Sequence, residues 1–374
     1  MQHSTPIWPS IPAHLCKARP EAPVLYLSPG ILHRTAKAFA GGFDGLVTYA
    51  VKANARPEVL SNLVAAGIAA FDVASPAEMA AVRAVSPAAK LHYNNPLRST
   101  AEVAAGIAHD VASWSVDSAE GLSKLKDVSK EAEIAVRFAL PVKAAVYDFG
   151  AKFGASPKEA TELLRAVAER GFQPALSFHP GTQCDDPQAW VTYISEAAQI
   201  AARAGVALAR LNIGGGFAAD RGQGAPDLGA VFTAVTEAVR AAFEVAPALV
   251  CEPGRAMVAE AGVLAVRVKE LRHKGGTVFL NDGIYGGLAD LRDMGLSGLL
   301  QVVGEDGTQR RGILQPRVVF GPTCDSLDRL PDGLMLPSDL REGDYVLFGG
   351  MGAYSIAMST TFNGYGAHEV VLVT

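Results

Sequence analysis

ARLNIGGGF, residues 209–217, is a short apolar run that ends in three consecutive glycines. The run suits a buried strand. The glycines suit a strand-to-helix turn whose backbone comes close to another group. Outward from this stretch the same pattern repeats, with apolar segments ending on a polar outlier. VTYAVKA (47–53) ends around Lys52, EIAVR (133–137) on Arg137, ALSFH (175–179) on His179 and ALVCE (248–252) on Glu252.

The whole pattern predicts strands at 46–52, 68–73, 90–94, 111–116, 132–138, 173–178, 207–213 and 247–252. Amphipathic helices are predicted between them at 57–66, 76–87, 99–108, 118–129, 157–170, 187–204 and 227–245. Strand–helix alternation with near-continuous apolar strands implies a parallel sheet covered on both faces. An open dinucleotide-binding sheet would carry GxGxxG after its first strand, and this chain has none there. The expected fold is therefore α/β, a (β/α)8 barrel over 28–255. Its polar strand ends gather at the mouth, where such barrels place their chemistry.

The pattern changes after residue 255. VLAVRVKEL, TVFLND, QPRVVFG, DYVLFGG and HEVVLVT replace the helices and are separated by Gly-Asp and Gly-Gly turns. They predict an all-β second domain over 256–374, sandwich- or barrel-like, joined by the strand at 22–27 and interrupted by a helical insert at 287–300.

Bulk properties narrow the class. Of 374 residues, 49% are hydrophobic and 19% charged, which suits a globular chain with a large core. A net charge of -5 without a Lys/Arg run argues against a nucleic-acid binder. No apolar run is long enough to span a bilayer, and the N-terminal stretch does not read as a signal peptide. The four cysteines (Cys16, Cys184, Cys251 and Cys324) are widely spaced, with no CxxC pair. Neither a zinc site nor a disulfide framework is expected, and a cytoplasmic location is.

Each candidate residue has a bland reading beside a chemical one. Lys52 is either a strand-end lysine reaching solvent or a Schiff-base lysine activated by desolvation. Gly214, Gly215 and Gly216 make either a tight turn or an anion cradle, and Gly254 and Arg255 of EPGR (252–255) fall at the same rim. Glu252 is either a structural carboxylate or the partner of a pyridine nitrogen. His179 is either a satisfied core histidine or a ring stacked on a flat ligand. Cys324 and Asp325, in GPTCDSLD, are a loop thiol and acid. One lysine, one histidine, one acid, one arginine and a glycine turn suit pyridoxal phosphate chemistry better than metal or triad chemistry.

Together the motifs resemble the fold-type III pyridoxal-phosphate-dependent decarboxylases of ornithine, lysine, arginine and diaminopimelate, the ornithine branch most closely. The resemblance rests on YAVKAN (49–54), FDVAS (71–75), KFG (152–154), SFHPGTQ (177–183), NIGGGF (212–217), CEPGR (251–255), NDGIYGG (281–287), FGPTCDSLD (320–328) and MGAYSIAMSTTFNGY (351–365). It implies an alanine-racemase-like barrel and decarboxylation of a basic L-amino acid through aldimine and quinonoid intermediates. The implied product is putrescine from ornithine or cadaverine from lysine.

By the same resemblance Lys52 holds the cofactor, His179 stacks on its ring and Glu252 faces its nitrogen, with Asp72 and Arg137 in support. Gly214, Gly215, Gly216, Gly254, Arg255, Tyr354 and Thr182 hold phosphate. Cys324 is the proton donor, and Asp325 receives the distal amine, with Asp293 as second acid and Asp290 competing. A homodimer is implied in which Cys324 and Asp325 reach into the partner's site. The chain departs from the family at Pro180, where a small apolar residue is usual. The rival readings are an amino-acid racemase, a decarboxylase of another amino acid, and a non-catalytic regulatory homologue.

Overall fold

The computed structural model describes residues 6–140, 152–331, 333–366 and 368–374. The chain divides into two compact units. One comprises His33–Ala218 and Pro226–Met257; the other comprises the described residues of Met1–Leu32, Ala219–Ala225 and Val258–Thr374.

The first unit is a closed barrel of eight parallel strands. In chain order they are Leu46–Ala50, Ala70–Val73, Lys90–Tyr93, Val111–Val116, Glu133–Arg137, Gln173–Ser177, Arg210–Asn212 and Ala248–Cys251. The eighth pairs with both the seventh and the first, so no edge is left open. Local chemistry sets the crossover helices. Ser75, Ser99, Ser118, Ser156, Asp186 and Asp227 each cap a helix start by accepting a backbone N–H. Ser99 with Glu102, and Ser156 with Glu159, complete reciprocal capping boxes.

Large apolar side chains of the strands point outward beneath the helices. Tyr49 meets Phe71 edge-on, and Tyr93 packs beside Trp114. Helix Pro29–Gly42 places Phe39 against Phe217 and Phe232, and Trp190 stacks on Phe217. These contacts fix alternation on each strand and leave the opposite residues facing the lumen.

The second unit is built on one mixed sheet. Val24–Leu27 lies between Glu369–Val373, in parallel, and Gly262–Arg272, antiparallel. Gly262–Arg272 also pairs with Thr277–Leu280 and Tyr345–Gly349, and the latter pairs with Leu300–Val303. Tyr26, Ala265, Val303, Tyr345 and Leu347 fill the core on one face of this sheet.

Several elements differ from the sequence expectation. The first barrel strand stops at Ala50, and Lys52 occupies a 3-10 turn, Val51–Ala53, closed by Asn54 N–H donating to Val51 O. The turn exposes Lys52 between the buried Val51 and Ala53, so the lysine is not inside a strand. The helix expected at 118–129 ends at Ser123. The helical insert at 287–300 is only Asp290–Met294, and Leu300 already begins a strand. Helix Ile11–Ala18 and strand Leu334–Pro337 were not anticipated.

Helix Thr100–Ala108 lies over the fourth strand at Gly106, where a Cβ would overlap the fully buried Trp114 ring. Gly106→Ala should cost about 1–3 kcal/mol through overpacking. The check is a lower urea midpoint with an unchanged slope.

Candidate active site

The site is built at the C-terminal ends of the barrel strands. Asp72 and Arg137 lie on the second and fifth strands, and Asn212 ends the seventh. Lys52, Asn94, His179 and Glu252 follow directly on the first, third, sixth and eighth. Glu252 is the most fully organised. Asn94 Nδ2 donates to its Oε1 at 2.6 Å, and Asn212 Nδ2 donates to the same oxygen. Oε2 makes no hydrogen bond among the described residues. Asn212 is fixed in turn, because Gly214 N–H donates to its Oδ1 at 2.9 Å.

The three glycines serve close approach. Gly214 and Gly216 have φ of +69° and +87°, a region that disfavours side chains. A Cβ on Gly214 would meet Phe178 O, and one on Gly215 would lie 2.6 Å from Glu252 O and 3.3 Å from His179 Nε2. The turn is therefore pressed against the loops after the sixth and eighth strands. The amides of Gly215 and Gly216 make no hydrogen bond among the described residues, which suits them to an anion. Gly254 and Arg255 are buried at the same end of the barrel, and Pro253 O accepts from Ala50 N–H at 3.1 Å. Thr182 is half-buried in the loop after the sixth strand.

Burial sets the protonation states. Desolvation, then the Asp72 charge, pushes Glu252 up to about 8 against the opposing pull of Asn212, Lys52 and Arg137. Asp72 is also raised by burial, opposed by Lys52, Asn94 and Arg137. His179 is held well below its usual range by burial and then by Lys52 and Arg137, so its ring is neutral. Gly181 N–H donates to His179 Nδ1 at 3.1 Å, which requires the ring proton to be on Nε2.

The remaining candidates belong to the β-rich unit. Cys324 is exposed, and its N–H donates to Asn363 Oδ1 at 3.0 Å. Asp325 accepts from Tyr285 O–H at 2.6 Å and from Leu327 N–H at 2.9 Å, and the first of these holds it below the usual carboxylate range. Asp293 is paired with its neighbour Arg292 at 3.1 Å, whereas Asp290 is buried and 3.8 Å from Arg221. Tyr354 has φ of +54° and is half-buried.

A family model described as pyridoxal-dependent decarboxylase, pyridoxal binding domain, matches residues 31–259. The chain belongs to that family. A lysine/ornithine decarboxylase of Selenomonas ruminantium is 31% identical over 327 residues, covering 85% of this chain and 81% of that protein. Ornithine decarboxylase of Mus musculus is 29% identical over 354 residues, covering 85% of this chain and 73% of that protein. The crystal structure of the arginine decarboxylase of Paramecium bursaria Chlorella virus matches with a TM-score of 0.87 at 25% identity, covering 96% of this chain and 98% of that one.

This decarboxylase therefore uses pyridoxal phosphate, and its residues fit that cofactor. An amine stands at one side of the mouth and a carboxylate with one open oxygen at another. A neutral, flat imidazole and a turn with free amides complete the set. Two members escaped the sequence analysis, Asn94 and Asn212. Both follow the rule that exposed Lys52 and Glu252, a polar residue at a strand end, but an amide carries no charge to attract notice.

Glu252 titrates from an unfolded value of 4.5 to about 8 in the fold. The folded protein keeps a proton that the unfolded chain loses across this window. The stability this contributes is full below 4.5 and lost as pH rises through about 8. Cofactor-free protein should lose thermal stability between about pH 5 and 8, and Glu252→Gln should flatten that fall.

Proposed function

We propose that this enzyme decarboxylates L-ornithine to putrescine and accepts L-lysine, giving cadaverine, as a second substrate. The observation that carries the reading is Asp325. Its carboxylate is kept ionised by Tyr285 O–H and Leu327 N–H, and no basic side chain pairs with it among the described residues. Such a group favours the cationic tail of a basic amino acid over the carboxylate tail of diaminopimelate. The names of the relatives, lysine/ornithine and ornithine decarboxylase, support the same class.

When bound, pyridoxal phosphate supplies the electron sink that lets the substrate carboxylate leave as CO2. Lys52 would hold the cofactor, and Glu252 Oε2 would accept a proton-bearing ring nitrogen while Asn94 and Asn212 occupy Oε1. Neutral His179 would lie against the ring with Asp72 and Arg137 beside it. Gly214, Gly215, Gly216, Gly254, Arg255, Thr182 and Tyr354 would hold the phosphate. Cys324 would deliver a proton to the carbon that lost CO2. Asp325, with Asp293 or Asp290 as a second acid, would bind the distal amine. Cys324 and Asp325 would act in the partner subunit of a homodimer. Four free thiols support a cytoplasmic setting.

Lys52→Ala should abolish amine release from every member of a panel of L-ornithine, L-lysine, L-arginine, meso-diaminopimelate and D-ornithine. Substantial residual turnover would overturn its role. Asp325→Ala should raise KM for ornithine and lysine by about 10-fold or more, the loss of a charge-assisted contact. Mixing the inactive Lys52→Ala and Cys324→Ala proteins should restore about a quarter of wild-type activity if each site draws on both subunits. No recovery would refute shared sites.

A further inference from the structure

Two buried carboxylates of the β-rich unit have no lysine or arginine to balance them. Asp282 and Asp328 are each 1% exposed, and neither pairs with a lysine or arginine among the described residues. Burying a carboxylate is costly unless other donors replace water. Here most of the donors are backbone amides of two loops. Asp282 Oδ1 accepts from Gly283 N–H and Oδ2 from Gly287 N–H, both at 2.9 Å, and His368 Nε2 lies 2.7 Å from Oδ2. Asp328 Oδ1 accepts from Ile284 N–H at 3.0 Å. Its Oδ2 accepts from Thr323 N–H at 3.1 Å and from Thr323 O–H at 2.8 Å. The turn 282–287 is therefore wrapped round one carboxylate and pinned to the other. Its glycines allow this, because a Cβ on Gly286 would overlap the Asp282 carboxylate and one on Gly283 the Asp328 carboxylate.

What these bonds fix is Tyr285, which the turn carries and whose O–H holds Asp325. The Tyr285 carbonyl accepts from Thr360 N–H at 2.8 Å and from Thr360 O–H at 2.9 Å, and its ring packs on Phe362 with centroids 5.1 Å apart. On the other side, Asp328 N–H donates to Asp325 O at 3.0 Å, and Gly321 N–H donates to Asp328 O at 2.8 Å. Both partners of the Tyr285–Asp325 bond thus belong to loops shaped by a buried carboxylate. His368 is the outermost member of this chain of contacts. Its side chain is 4% exposed, and it directly precedes strand Glu369–Val373, which pairs with Val24–Leu27. The turn itself leaves strand Thr277–Leu280, so His368 attaches it to a second strand of the sheet.

We propose that His368, acting through Asp282, is a positioning residue for substrate choice. It holds the Tyr285 turn at a fixed place on the sheet, and so fixes where Asp325 presents its charge. This role rests on the reading of Asp325 as the acid that receives the distal amine. Ornithine and lysine differ by one methylene, so their amines end at different distances from the reacting carbon. An acid held in one place favours one of the two lengths. An acid free to follow either amine loses the distinction, and one methylene is worth about 10–200-fold in discrimination by an enzyme. A histidine that only stabilised the fold would change Tm and the yield of active enzyme. It would leave KM and the ratio between the two substrates where they were.

Steady-state kinetics of the holoenzyme with L-ornithine and L-lysine test this role. His368→Ala should raise KM for the preferred substrate by about fivefold, with kcat within about twofold of wild type. It should also move the ratio of the two kcat/KM values toward one by about threefold or more. His368→Gln, whose amide nitrogen takes the place of Nε2, should recover both values. His368→Asn, whose shorter amide does not reach Asp282, should behave as His368→Ala and serves if the alanine variant does not fold. In Tyr285→Phe protein the hydroxyl on Asp325 is already gone, so adding His368→Ala should change KM by less than about twofold. Unchanged KM and ratio in the His368 variants, no recovery in His368→Gln, or an equal effect with and without the Tyr285 hydroxyl would overturn the proposal. So would a wild-type ratio already within about twofold of one. Asp325→Ala in the same assay keeps the two failures apart. If KM rises there and not in the His368 variants, the reading of Asp325 stands and the role of His368 fails; an unchanged KM in Asp325→Ala overturns both.

Discussion

Charge balance at the barrel mouth is the constraint on which the rest depends. Lys52, at the exposed rim, and Arg137 face Asp72 and Glu252, and burial of the arginine and both carboxylates makes their space poorly solvating. Each group alters the protonation of the others, and Coulomb terms grow as solvent is excluded. Both carboxylates are pushed toward their neutral forms, yet Glu252 is tied by two amides to one oxygen. Its position is therefore independent of its charge. A ligand that brings a positive nitrogen to Oε2 favours the ionised carboxylate, and one that brings none leaves it protonated. The site thus discriminates by charge before any shape is considered.

The barrel meets this constraint by geometry. Parallel strands closed on themselves deliver their last residues to one ring, and short polar residues at those positions converge without long side chains. The glycine turn after the seventh strand is part of the same device. Gly214 and Gly215 bring the turn against the backbone near His179 and Glu252, so the loops after the sixth, seventh and eighth strands form one packed layer. A side chain at either position would separate the imidazole from the acid that it accompanies.

Much of this was legible in the sequence, for a physical reason. Buried parallel strands read as apolar runs, so a polar residue at their ends stands out, and Arg137, His179 and Glu252 were visible in that way. Lys52 was visible too, but its local structure was not. VTYAVKA continues the apolar run past Ala50, and only the bond from Asn54 N–H to Val51 O shows that the chain has left the strand. Asn94 and Asn212 were missed because amides raise no electrostatic question by themselves. In the β-rich unit, Leu300–Val303 was missed because it abuts the stretch read as a helical insert, and Leu334–Pro337 because it ends on a proline between turn residues. Runs as short as these fix no period from local pattern, and their register comes from long-range pairing.

On the proposed reading, reaction and substrate choice are written in different parts of the chain. The groups that suit a pyridine ring belong to the barrel, where packing, register and charge are mutually dependent. Asp325 is instead held in a short loop by one tyrosine hydroxyl and one backbone amide. Changing that loop by a residue would move the acid without disturbing a barrel strand. A scaffold built in this way can keep one reaction while the length of the accepted side chain drifts. Proteins named as lysine/ornithine, ornithine and arginine decarboxylases resemble this chain at 25–31% identity. These identities lie too close together to rank the substrates. If Asp325 receives the distal amine as proposed, its distance from the reacting carbon sets which amine fits.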